Sequence, residues 1–129
     1  MNFKEFVQLF EIVDSIKYFP KFNYEKESNK KINLYKENFY NEEWKKIDYF
    51  NYEVSNYGRI RNINTLNIKQ LKFSRYGNQV ILWKNGKGQT FTLSHLVAHY
   101  FIKRITKNNR VIHIDKNIRN NYYKNLKII

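Results

Sequence analysis

Apolar side chains near the start of the chain recur at helical spacing. Phe3, Phe6, Val7, Phe10, Val13 and Ile16 form one stripe, which Leu9 and Ile12 widen. The spacing predicts an amphipathic helix over 2–17 that Pro20 ends, with its apolar face buried against the rest of the chain or against a protein partner. From Lys21 to Asn41 charged and polar residues carry only single aromatics, so this stretch reads as a peripheral arm. Beyond Glu42 the period shortens to two. Tyr52 to Asn56 alternates as a strand, and Asn56-Tyr57-Gly58 turns the chain into Arg59-Ile60-Arg61. Gln79 to Trp83 and Gln89 to Leu93 flank Asn85-Gly86, the residue pair that a two-residue hairpin turn demands. Ser94 is placed as the N-cap of a helix from Leu96 to Ile102, with Leu96, Val97, Tyr100 and Phe101 facing the core. Arg110 to Ile114 reads as a strand, 115–124 as a polar loop and Leu126 to Ile129 as a second strand. The class is α+β, built of small antiparallel sheets and short helices, with parts at 1–41, 42–75 and 76–129.

Charge adds a partner class to this outline only through its distribution. The formal net charge is +13, but residues 1–41 are nearly neutral, and between Glu53 and Asp115 there is no carboxylate at all. Eleven Lys and Arg residues fall in that span. A field of this kind attracts phosphates and releases their counterions, so the composition points to nucleic acid. An AT-rich codon usage would also enrich Lys, Asn, Ile, Tyr and Phe, yet it would not remove Glu. The absence of cysteine excludes disulfides and thiolate zinc sites. No apolar run reaches membrane-spanning length, and charges interrupt the N-terminal apolar stretch, so the expectation is an intracellular or virion protein rather than a secreted or membrane one.

The most informative residues lie near the end. Val111-Ile112-His113-Ile114-Asp115-Lys116-Asn117, with Asn120-Asn121 and Asn125-Leu126 after it, resembles the core of an HNH nuclease. Trp44-Lys45-Lys46-Ile47 and Tyr52 through Arg61 resemble the small modular DNA-binding motif that precedes the nuclease domain in phage-type HNH homing endonucleases. Leu82 through Phe91 and Leu96 through Phe101 look like that family's hairpin and following helix. The resemblance covers about 42–129 and assigns 42–75 to the DNA-binding motif and 76–129 to a His-Me finger domain. It implies that His113 is a general base, and that Asp115 or Asn117 together with a later helical residue would hold a divalent metal such as magnesium.

Four departures from the family pattern lead to the expectation of a decayed site with no cofactor. Ile112 stands where the family has a carboxylate or amide; only Lys127, Ile128 and Ile129 follow where its metal-binding helix begins; Ser94-His95 replaces His-Arg; and Lys116 replaces a glycine. The expected function is a basic DNA-binding protein derived from such an endonuclease, DNA being favoured over RNA. Arg59, Arg61, Lys69, Lys72, Arg75, Lys84 and Lys87 are assigned to phosphates, and Asn56 or Asn62 to sugar or base edges. Two alternatives stand beside it: an active nicking endonuclease with His113 as base, and a structural component of a virion or ribonucleoprotein particle. Simpler roles exist for individual residues. His113 could be a strand-end histidine bonded within its loop, the Asp115 to Asn125 amides could tie that loop, and His95 with His99 has the i, i+4 spacing of a helical metal pair.

Overall fold

The computed structural model describes residues 1–10 and 36–129. A short helix α1 (Phe3–Gln8) opens the chain, and Asn2 caps it: its side chain accepts from the Glu5 N–H while the Glu5 carboxylate accepts from the Asn2 N–H. The predicted positions Val13 and Ile16, and most of the arm, lie outside the described residues. Three antiparallel strands follow, β1 (Trp44–Lys46), β2 (Tyr52–Ser55) and β3 (Ile60–Asn62), in the order β1-β2-β3. A second sheet holds β4 (Lys72–Ser74), β5 (Gly77–Lys84) and β6 (Lys87–Thr92). Helix α2 (Leu93–Phe101) leads to β7 (Val111–His113) and, after a 3-10 turn at Tyr123–Asn125, β8 (Leu126–Ile128), which pairs antiparallel with β7. The α+β class of small antiparallel sheets is the observed architecture.

The hairpin forms as its turn residues require. Asn85 and Gly86 both adopt positive φ, 52° and 78°, and Lys84 pairs with Lys87 across them. Helix α2 starts earlier than expected, at Leu93 with Thr92 in the capping position, so Ser94 is a buried first-turn residue and not the cap. Leu93, Leu96, Val97 and Ala98 give α2 its buried face, while Tyr100 and Phe101 pack at its margin.

One core serves all parts. Val54 and Ile60 of the first sheet, Val80, Leu82 and Phe91 of the second, the α2 residues, Ile105 and Leu126 form a single buried cluster that Phe6, Val7, Leu9 and Phe10 complete. The α1 face is therefore covered within the chain. Phe6 and Phe10 lie 6.2 and 5.2 Å from the Phe91 ring, whereas Phe3 stays at the edge against Tyr49 and Phe50. The expected boundary at 75/76 falls inside the β4–β5 hairpin, so the two stretches share a sheet, and the β2–β3 turn also meets the loop before β8. The Tyr123 N–H donates to the Asn56 carbonyl at 2.9 Å, and a Cβ at Gly58 (φ +82°) would stand 2.8 Å from the Asn121 Cβ.

Candidate histidine cavity and nucleic-acid interface

His113 is the last residue of β7, opposite Leu126, and lines a cavity of about 470 Å³. Its Nε2 lies 2.9 Å from Asn121 Oδ1. Asn121 is itself buried, wedged beside Gly58, so the turn between β2 and β3 sets the position of the histidine's partner. The cap and first turn of α2 also line it, through Thr92, Ser94 and His95. His95 is only 3 % exposed, and its Nδ1 has no hydrogen-bond partner among the described residues. Burial, with a smaller contribution from nearby His113, pushes the His95 imidazole down to about 4, so it is neutral at physiological pH. Arg75, Tyr76, Val111, Ile112, Lys116 and Ile118 complete the lining, and among the described residues no carboxylate takes part.

Asp115 and Asn117, the expected metal ligands, are used elsewhere. The Asp115 carboxylate accepts from the Asn117 N–H (2.8 Å) and from the side-chain amides of Asn120 and Asn125 (both 2.9 Å). Asn125 returns the bond by accepting from the Asp115 N–H, and Asn117 Oδ1 accepts from the Arg119 N–H. The Asn120 amide, the Asn117 N–H and the Asn125 amide hold the Asp115 carboxyl below the ordinary carboxylate value. Neither residue lines the His113 cavity. The loop-tying role is thus the one the geometry gives them. Lys116 adopts φ +64°, the left-handed conformation that a glycine would take without strain.

A divalent metal of the magnesium type needs several oxygen ligands. Ile112 presents none, the Asp115 oxygens are occupied by the loop, and among the described residues no three His, Asp or Glu side chains gather into a metal-binding group. The residues present do not fit such an ion. The i, i+4 pair does not form a site either. His99 Nδ1 accepts from the Ile105 N–H at 3.2 Å, and its ring sits edge-on to Phe6 and Phe10, while His95 faces the cavity.

The expected phosphate contacts divide sharply. Arg59 is an internal residue: its guanidinium, 2 % exposed, grips the buried Glu42 carboxylate through Nε (2.9 Å) and Nη2 (2.6 Å), donates to the Glu37 carbonyl and stacks on Phe39. Burial by itself would raise the Glu42 carboxyl, but hydrogen bonds from Arg59, the Phe39 N–H and Ser55 outweigh it and hold the carboxyl below 4.5. Arg61 pairs with Glu53 at 2.8 Å and lies 4.0 Å over Trp44. Lys84 donates to the Tyr49 carbonyl, and Lys69 is half-buried over Tyr52, where burial lowers its ammonium pKa. Asn56 is buried between the Glu43 N–H and the Asn41 carbonyl, which removes it from any base edge. Asn62 Oδ1 caps a turn by accepting from the Asn64 and Thr65 N–H groups. Lys72 and Lys87 remain exposed, and Arg75 lies at the cavity.

Trp83 lies on the outer face of β5, 52 % exposed, opposite Gly88. A Cβ at Gly88 would come within 3.2 Å of the indole, so the glycine leaves the space the ring occupies.

Comparison with known proteins finds likenesses over part of the chain. Residues 42–93 match the NUMOD4 motif. Over 86 residues the chain is 48 % identical to an uncharacterized HNH endonuclease, L245, of Acanthamoeba polyphaga mimivirus; the match covers 64 % of this chain and 26 % of the viral protein. The fold matches the solved structure of the HNH homing endonuclease I-HmuI, described by its DNA binding and cleavage, with a TM-score of 0.62 and 33 % identity over 67 % of this chain and 52 % of that one. The chain thus spans about a quarter of the viral relative and about half of the structural one. By motif, sequence and fold, this chain is similar to HNH homing endonucleases, and its residues 42–93 match the NUMOD4 motif associated with them.

Proposed function

We propose that this protein binds DNA through a surface inherited from an HNH homing endonuclease, and that its His113 site no longer cleaves. The observation that carries both halves is the lining of the His113 cavity: the cations Arg75 and Lys116, hydroxyls from Thr92 and Ser94, and no carboxylate among the described residues. Such a cavity suits a phosphate and offers a divalent metal no anionic oxygen ligand. The acid-free span from Val54 to Ile114 supplies the wider field. The DNA binding named for the structural relative favours DNA as the partner. On this reading the outer face of the second sheet, with Lys72 and the exposed Trp83, faces the duplex, and Lys87 stands at the hairpin tip beside it, because a β-ribbon fits the width of a major groove.

His113 keeps its place through Asn121, so the histidine survives as part of a folded wall whatever chemistry is lost. Two measurements test the reading. Anisotropy of a labelled duplex is expected to show binding whose affinity falls steeply with salt. Manganese added to the free protein is expected to leave the His113 ring resonances unbroadened. Salt-insensitive binding, or selective broadening at His113, would overturn the corresponding half.

A further inference from the structure

The cations of the two larger sheets are largely spent inside the fold, but those of the loop between α2 and β7 are not. Lys103, Arg104, Lys107 and Arg110 are all exposed, and none of them pairs with a carboxylate among the described residues. Yet the loop is not a loosely solvated run. Its backbone is held at almost every step: the Lys103 N–H donates to the Ala98 carbonyl, the Ile105 N–H to His99, and the Thr106 N–H to Asn109 Oδ1. Arg110 exchanges both backbone hydrogen bonds with Ile129, at 2.9 and 2.8 Å. Ile105, 2 % exposed, plugs the loop into the core. A fixed backbone presenting unpaired cations loses little entropy on binding an anionic partner.

Position matters as much as charge. The loop leaves the C-terminal end of α2, roughly 13 Å along the helix from the first turn that walls the His113 cavity. It then returns to that cavity through β7, where Arg110 and Ile112 alternate onto one face and the exposed Lys127 stands opposite Ile112. The helix dipole accounts for cations just past α2, Lys103 and Arg104, but not for Lys107, Arg110 or Lys127. Asp48 shares a shallow cavity with Arg104 and Lys46, which makes Arg104 the least available of the group.

We infer that Lys103, Lys107, Arg110 and Lys127 form a second phosphate-contacting track, carrying the DNA backbone from the edge of the His113 cavity toward the far end of α2. The inference rests on the DNA-binding reading above and extends its footprint to residues outside the NUMOD4 motif.

The test is salt-dependent anisotropy of the full chain with a short mixed-sequence DNA duplex. Lys103→Gln with Lys107→Gln, and separately Arg110→Gln with Lys127→Gln, should each weaken binding at low salt. Each pair should also flatten the slope of log affinity against log salt by up to about 1.8, at about 0.9 per phosphate contact. Exchanging the same four positions between Lys and Arg should leave the slope unchanged, and these exposed positions should leave the melting temperature near that of the wild type. A wild-type slope in both Gln pairs overturns the track while the DNA-binding reading stands. A wild-type protein that binds no duplex overturns both.

Discussion

Replacing Arg59 with Ala should destabilise the fold severely while doing little directly to phosphate binding. The substitution strands the Glu42 carboxylate, whose side chain is 0 % exposed, without its bidentate partner. It also removes the bond to the Glu37 carbonyl and the stacking on Phe39 and Trp44. Breaking a buried pair from one side costs about 3–5 kcal/mol, and the stacking about 0.5–1 kcal/mol more, a large share of the roughly 5–15 kcal/mol that holds a domain together. The partly exposed Arg61–Glu53 pair should cost much less, about 1 kcal/mol or under for the ion pair itself. Urea unfolding followed by tryptophan fluorescence measures both. Arg59→Met combined with Glu42→Gln should lie closer to wild type than Arg59→Ala, since no buried charge is left alone. The Glu42 carboxyl is held below its ordinary 4.5, so its contribution is present above that value and fades as pH falls through the lower folded value. A cost under about 1 kcal/mol for Arg59→Ala, with additive effects at Glu42, would refute the internal role and return Arg59 to the phosphate-binding set.

His95 supplies a second pH prediction. With its folded value near 4 against 6.5 unfolded, the unfolded state takes up the proton first. Stability should therefore fall as pH drops from 6.5 toward 4, by about 1.4 kcal/mol for each unit, and His95→Asn should remove that slope in urea titrations. Gly58→Ala combines a positive φ with a clash against Asn121, and should cost about 2 kcal/mol or more. It should also shift the His113 ring resonances, because Asn121 is the partner that moves; unchanged spectra would sever the link between the β2–β3 turn and the histidine. Phe6→Ala should cost about 3 kcal/mol by opening the contact with Phe10, Phe91 and His99, and a loss under about 1 kcal/mol would mean that α1 is dispensable.

Local signals were legible in the sequence, and long-range pairings were not. Asn85-Gly86 announces its hairpin because two consecutive positive φ values favour those residues, and the Asp115 to Asn125 loop declares itself by side chains that bond nearby backbone. Strands β7 and β8 and the apolar face of α2 follow from period alone. Arg59 shows the opposite case. In the chain it is one more cation in an acid-free span, and only the return of Glu42 from seventeen positions earlier turns it into a buried structural residue. Asn56 fails as a base reader for the same reason, its amide being taken by Glu43 and Asn41. His95 enters the cavity through the packing of α2 against β7, which no spacing along the chain announces. Strand β4 is three residues long and too short to carry a period.

The most direct test of a site that holds DNA without cutting it is a supercoiled-plasmid nicking assay in magnesium and in manganese, with His113→Ala alongside and Ile112→Asp as a third sample. With Asp115 bound into its loop and Ile112 offering no oxygen, the wild type should bind the plasmid and leave it supercoiled. Ile112→Asp should do the same, because one added carboxylate does not make a coordination shell. Metal-dependent nicking by the wild type that vanishes in His113→Ala would contradict the loss of catalysis and make this chain a working nuclease.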